Sequence, residues 1–504
     1  MYRPVMRRLA LPALVLLACT PASGIDEGAG TTGSAATTTS GTTTDTPTGS
    51  STSTSAETTG DPSNVPDGMI PIPADPQREG DPDAGYHALL NNNYVSCGIP
   101  WTAYSQVFGE ADPALQLPGR DGKNATLPYY QTAFTTAGGV ELVSANCLQC
   151  HAGFINGELV IGLGDTTSDF TTSVGGTAAL AGGLLSDPAE KAELQRFVDR
   201  LAAVEPYTQT KTIGSNPADN VAAVLFAHRD PQTFEWNDPP LLELPEVNPF
   251  PVDVPPWWWM KKKHAMFYVA AGRGDHARTM MATATLCTDS IDEARAIDAY
   301  FPDVRAYIES LEPPKYPFAV DAQLAEAGRV IFEVTCAGCH GTYGDDGVYP
   351  NLLAPLAVIG TDPMLALGAA QFSGRFLDWF NNSFYGEVAR LAPEEGYMAP
   401  PLDGVWATAP YFHNGSVPTV AAVLDSASRP QFWTRTFEST DYDPAALGWN
   451  ITVLDHGQAD EPVASVRKTI YDTTLPGHTN PGHTFGDGLS ADDRLAVLEY
   501  LKTL

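Results

Sequence analysis

The chain has 504 residues, room for two or three domains of ordinary size. Its 28 Lys and Arg stand against 60 Asp and Glu, a formal net charge of −32, which excludes nucleic acid as a partner because phosphate affinity depends on clustered basic charge. With 45 Gly, 42 Pro and a hydrophobic fraction of 43%, the composition predicts a sizeable core wrapped in many loops and turns.

The N-terminus carries Arg3, Arg7 and Arg8 ahead of an apolar run at 9–18. Residues 1–18 therefore read as a secretory signal, shorter than the roughly 20 residues of a membrane span. The end of that run, Leu16-Leu17-Ala18-Cys19, resembles the lipobox of bacterial lipoproteins, which makes Cys19 the expected lipidation site and new N-terminus. Residues 19–66 are dominated by Thr, Ser and Gly, too poor in apolar side chains to offset the entropy of ordering, and predict a disordered tether. An exported lipoprotein follows, with Thr20 after the cysteine pointing to the outer membrane and a periplasmic or cell-surface position.

Cys147-Leu148-Gln149-Cys150-His151 and Cys336-Ala337-Gly338-Cys339-His340 both read Cys-x-x-Cys-His. Thiols three positions apart form thioethers to the two vinyl groups of one haem, and the adjacent histidine reaches the iron as its proximal ligand. Zinc binding and redox exchange use a bare Cys-x-x-Cys. Two copies, each followed by histidine in an exported chain, predict two covalently bound haem c groups, with His151 and His340 as axial ligands. A helical pattern at 294–311 follows the first motif, and one at 490–504 follows the second at a similar distance. The latter has Ser490 and Asp493 in capping-box positions and Leu495, Leu498, Leu501 and Leu504 on one face. A further helical stretch, 321–335, leads into the second motif. The repeated plan predicts a mainly α fold of two cytochrome-c-like domains with long loops, 67–314 and 315–504, each binding one haem. Export also permits a disulfide between Cys97 and Cys287, the alternative being two buried thiols.

The sixth ligands decide the chemistry. A haem with two strong axial ligands moves electrons, whereas one with an open face reacts with dioxygen or peroxide. No histidine lies between His151 and His228, so the first iron is expected to be open. For the second, His483 in Gly482-His483-Thr484-Phe485-Gly486 is favoured over His478 and Met398, while His413 and Trp406 are assigned to the haem surroundings. Between the motifs runs Pro255-Pro256-Trp257-Trp258-Trp259-Met260-Lys261-Lys262-Lys263-His264-Ala265-Met266-Phe267-Tyr268. Three consecutive tryptophans cannot share one face of a helix or strand. Trp257, Trp258, Trp259, Phe267 and Tyr268 therefore either line a catalytic pocket and relay electrons, or fill a domain interface, with the lysines solvated or pairing haem propionates.

These segments resemble the di-haem cytochrome c peroxidase and MauG superfamily, and within it the RoxA-like rubber oxygenases. The resemblance rests on Asn146-Cys147-Leu148-Gln149-Cys150-His151-Ala152-Gly153, the Pro-Pro-Trp-Trp stretch, Cys339-His340-Gly341-Thr342-Tyr343-Gly344, Tyr349-Pro350-Asn351 and Ile359-Gly360-Thr361-Asp362-Pro363. It extends through 398–418, which includes Tyr411-Phe412-His413-Asn414-Gly415, to Glu499-Tyr500-Leu501-Lys502-Thr503-Leu504. It implies a first haem that binds dioxygen, a bis-His second haem, and oxidative cleavage of an alkene in an apolar or polyisoprenoid substrate. The peroxidases' Phe-Trp-Asp-Gly-Arg-like segment is missing here, and no methionine follows His413, which points toward the oxygenase branch. The alternatives are a peroxidase or MauG-type enzyme reducing hydrogen peroxide, and a non-enzymatic electron carrier. A small electron-donor cytochrome is an implied partner. Calcium between the domains also accompanies the superfamily, although no acidic loop in this chain is distinctive enough to mark a site.

Overall fold

A computed structural model describes residues 67–172, 175–247, 249–284, 286–371 and 374–504. The leader, Cys19 and the tether lie outside the described residues. Among the described residues, no helix is long and apolar enough to cross a membrane.

The two halves share one helix crossing. Helix Pro82–Asn91 starts on Asp81, whose carboxylate accepts the Ala84 N–H at 2.8 Å, and packs across Phe301–Ser310. Helix Ala322–Thr335, capped by Asp321, packs across the terminal helix Ala491–Leu501 in the same way. Each crossing turns on a glycine. A Cβ at Gly85 would stand 1.9 Å from the Asp303 carbonyl oxygen, and one at Gly328 would stand 1.8 Å from that of Ala496. Backbones this close leave no room for a side chain.

Ser490 and Asp493 make the reciprocal capping box. Leu498 and Leu501 are buried behind it, but Leu495 is 48% exposed, so the apolar face is narrower than the leucine spacing predicts. The 294–311 pattern is two helices, Ile291–Asp298 and Phe301–Ser310. Pro302 has no N–H to donate and belongs in a first turn, so it starts a new helix instead of continuing the old one.

The expectation of a mainly α fold is overturned. The described residues are 39% helical and 13% strand, with several small antiparallel sheets of two or three strands. Gly- and Pro-broken segments too short for helices satisfy their backbone groups in brief ladders instead. Gln131–Thr135 pairs with Glu141–Ala145, which also accepts Ile99–Pro100 and runs straight into the first motif. Immediately after that motif, Ala152–Ile155 folds back on Glu158–Ile161 through Asn156 and Gly157, both at positive φ as a two-residue hairpin turn requires. Two ladders join distant parts of the chain: Ile70–Pro71 pairs with Leu353 and Leu352, and Gly272–Gly274 pairs with Ala389–Leu391.

Two large cores result, and they exchange residues. The first gathers side chains from Ala88 to Ile308, then adds Phe376, Trp379, Phe380, Phe384 and Tyr385. Phe226 stacks on Trp379 with ring centroids 4.3 Å apart. The second core surrounds Phe332, Trp406 and Leu501, and takes in Ile155, Leu163, Trp258 and Trp259. Cys97 and Cys287 are disulfide-bonded inside the first core, with Cα atoms 5.7 Å apart.

Candidate haem sites

At the second motif, helix Ala322–Thr335 delivers Cys336, and the single turn Ala337–His340 presents Cys339 and His340 beside it. These residues line a cavity of about 450 Å³ together with His483, Met398, His413 and Trp259. Phe332, Val405, Val497 and Leu501 give it an apolar wall. The His340 Nδ1–H donates to the Pro400 carbonyl at 2.8 Å, which orients the ring and leaves Nε2 as the ligating nitrogen. The rings of His340 and His483 lie 6.2 Å apart, centroid to centroid, at 55°. Two imidazoles bonded to one metal ion at about 2 Å each have centroids roughly 6 Å apart, so the spacing suits an iron between them.

His483 is held by its backbone. Its N–H donates to the Ile359 carbonyl at 2.7 Å, and its carbonyl accepts from the Arg429 guanidinium at 3.1 Å. Its Nδ1 is buried without a hydrogen-bond partner. Burial first, then the neighbouring His340 and Arg429, pushes its pKa down to about 3, and burial lowers that of His340 as well. Both rings are therefore neutral, the form that binds a metal. Thiols, imidazoles and apolar wall together fit a haem c.

Of the competing ligands, Met398 lines this cavity, whereas His478 packs against Tyr471 with its Nδ1 2.9 Å from the Pro476 carbonyl. His413 stacks on Tyr397 at 4.0 Å with its Nε2 unpartnered, and burial pushes its pKa to about 4. Trp406 is not on the cavity wall. It sits in the second core, its indole N–H donating to the Pro314 carbonyl at 3.2 Å.

At the first motif the preceding hairpin ends in Asn146, whose Oδ1 accepts the Leu148 N–H at 2.9 Å and caps the turn Leu148–His151. The Cys147 N–H donates to the Tyr94 hydroxyl at 3.1 Å, and the Asn216 amide donates to Cys150 Sγ at 3.4 Å. Cys147, Cys150 and His151 are all buried. Trp257 stacks on the face of His151 at 4.8 Å and 21°. The donor set fits a haem c. The void among these residues is only about 50 Å³, and Met260, Met266 and Met280 are among the side chains that line it. Methionine is the side chain most able to swing out of such a space.

The aromatic run joins the two sites. Trp257, Trp258 and Trp259 occupy a tight 3₁₀ turn, Trp257–Lys262. Trp257 lies on His151, Trp259 lines the second cavity, and the indoles of Trp258 and Trp259 both donate to the Asp403 carbonyl at 2.8 Å. Phe267 and Tyr268 divide likewise, Phe267 toward the first cavity and Tyr268 toward the second. The Tyr268 hydroxyl donates to buried Asp253 at 3.1 Å, and burial raises that carboxyl well above its ordinary pKa. Lys261 and Lys262 pair with Glu312 and Asp403, whereas Lys263 lines the first cavity, where burial lowers its pKa to about 8.

Sequence reasoning singled out neither Asp253 nor His276, which also lines the first cavity. The one available signal for His276 was an N-cap Asp275 placed directly before a histidine in an apolar stretch. Among the described residues, no group of three or more His, Cys, Asp or Glu is placed to hold a metal ion.

Residues 396–434, which supply Met398 and His413 to the second cavity, match the family model described as RoxA-like, cytochrome c-like. Over this stretch the chain is similar to RoxA-like cytochromes c. The match points to haem c as the group held in this part of the chain. The chain is also similar to two curated proteins of Sinorhizobium fredii. With uncharacterized protein y4iM it is 34% identical over 220 residues, 39% of this chain and 49% of that one. With uncharacterized protein y4iJ it is 30% identical over 261 residues, 38% of this chain and 41% of the relative. The matches span about half the length of these relatives or less.

Proposed function

We propose that the chain is a di-haem oxidoreductase of the cytochrome c peroxidase and MauG superfamily, RoxA-like in its chemistry. In this reading it works on dioxygen at the first site and exchanges electrons through the second. The observation that carries the reading is the asymmetry of the two sites. His340 and His483 stand 6.2 Å apart across the second cavity, whereas no ring contact pairs His151 with His276, the other histidine of the first cavity, and Met266, Phe267 and Met280 make that lining largely apolar.

In this reading Cys147 and Cys150 hold one haem by thioethers with His151 as its ligand, and Cys336 and Cys339 hold the other between His340 and His483. A haem at the first site supplies activation of dioxygen for oxidative cleavage of an apolar, polyisoprenoid-like substrate. The protein's own contribution is positional. Trp257 braces the His151 ring, Phe267 and the methionines exclude water, and the Asp403 carbonyl fixes the two indoles that lead to the second cavity. Export and lipidation at Cys19 would hold the enzyme at the outer membrane, where a small donor cytochrome is a suitable partner.

Reduction of hydrogen peroxide is the second reading, favoured by two polar groups, His276 and Lys263, in the first cavity. Optical and EPR spectra of the purified full chain test both. One high-spin and one low-spin haem are expected, with a stable dioxygen adduct of the reduced form for the oxygenase and rapid reoxidation by peroxide for the peroxidase. Two low-spin haems indifferent to dioxygen, peroxide and carbon monoxide would make the chain an electron carrier and overturn the proposal.

A further inference from the structure

We propose that His276 is the hydrogen-bonding group that meets a small oxidant at the first site. The inference rests on the reading that Cys147, Cys150 and His151 hold a haem, and adds a residue to it.

His276 is 2% exposed and lines the same cavity as Cys147 and His151. Its backbone is pinned. It opens the short helix His276–Met280 behind Asp275, whose carboxylate accepts the Arg278 N–H at 2.7 Å and is bonded by Arg78 at 2.9 Å. Its own N–H donates to Gln77 Oε1 at 2.9 Å. The ring is different. Both Nδ1 and Nε2 are buried and neither closes a hydrogen bond of good geometry, the His264 backbone being the polar group beside the ring, so the imidazole has bonding capacity left over for a ligand. Burial, reinforced by the positive charges of Lys263 and Arg305, pushes its pKa to about 4, so the ring is neutral and offers one N–H donor and one acceptor.

A ligating role for His276 fits less well. His340 has its second nitrogen fixed by the Pro400 carbonyl at 2.8 Å, the arrangement that orients metal-bound histidines, whereas the His264 backbone beside the His276 ring makes no hydrogen bond of that geometry. A donor without a fixed second bond suits a diatomic or peroxide molecule that comes and goes. Met266, Phe267 and Met280 offer that molecule no hydrogen bond, which leaves His276 and Lys263 as the donors in this lining.

The test uses the full holoprotein, reduced and saturated with carbon monoxide, and reads the C–O stretch in the infrared. A donating imidazole lowers that stretch. His276→Leu should raise it and speed carbon monoxide release, while His276→Gln, which still donates, should stay nearer the wild-type value. An unchanged stretch in both variants overturns the proposal. So does conversion of a low-spin to a high-spin EPR signal in His276→Leu, which would make His276 an iron ligand. Haem content separates the two layers of the argument: if Cys147→Ala/Cys150→Ala binds as much haem as the wild type, the first-site reading itself has failed.

Discussion

His340 and His483 face each other at 6.2 Å, although one follows the entry helix of the second half and the other precedes its terminal helix. Nothing local brings them together. The bond from His483 N–H to the Ile359 carbonyl and the grip of Arg429 on the His483 carbonyl do so. Replacing the ring therefore removes a ligand without removing the turn that carries it. His483→Ala should convert the low-spin EPR signal of one haem to high spin with little change in stability, whereas His478→Ala should leave the spectrum as it was.

Trp257 stacks on the His151 ring. Trp257→Ala removes that brace and the first ring of the aromatic path toward Trp259. Stopped-flow reduction should show the first haem reduced at least about tenfold more slowly while the second keeps its rate. Equal slowing at both sites would mean that the variant has disturbed the fold as a whole.

Asp275 and Asp298 lie among Arg78 and Arg278 beneath His276. Burial alone would raise their pKa values, but the arginine bonds outweigh it and hold both carboxyls below the ordinary range. An acid whose pKa is lowered on folding stabilises the protein fully above its unfolded value, near 4, and the contribution is lost as pH falls through the folded value. The melting temperature should therefore stay level from pH 7 to about 5 and fall steeply below about 4. Asp298→Asn should flatten part of that decline and cost on the order of 3 kcal/mol at neutral pH, measured by denaturant titration.

The Cys97–Cys287 bond closes a loop of 190 residues within the first core. Without the bond, the unfolded chain regains the conformational entropy that closing so long a loop removes. Cys97→Ser/Cys287→Ser should lose about 3 to 5 kcal/mol of stability, seen as a lower urea midpoint with the haem content unchanged.

Much of the local architecture was legible. The Cys-x-x-Cys-His spacing, the Ser490–Asp493 cap and the helix entering Cys336 are each encoded within a few neighbouring residues. The sheets were not legible, because strands such as Ile70–Pro71 are only two residues long and find their partner at Leu352–Pro355. Apolar spacing at 294–311 also carried no sign that Pro302 restarts the helix. His276 was hidden for a similar reason: its cavity is assembled from Cys147, Trp257 and Phe301, far apart in the chain, and a lone histidine does not announce its burial.

The exchange of residues between the cores sets an order of assembly. Phe226 and Phe234 lack their partners Trp379, Phe384 and Tyr385 until the chain has been synthesised well past the second motif. Cys336 and Cys339 emerge before those aromatics do. The first half therefore completes its packing only with residues the second half contributes.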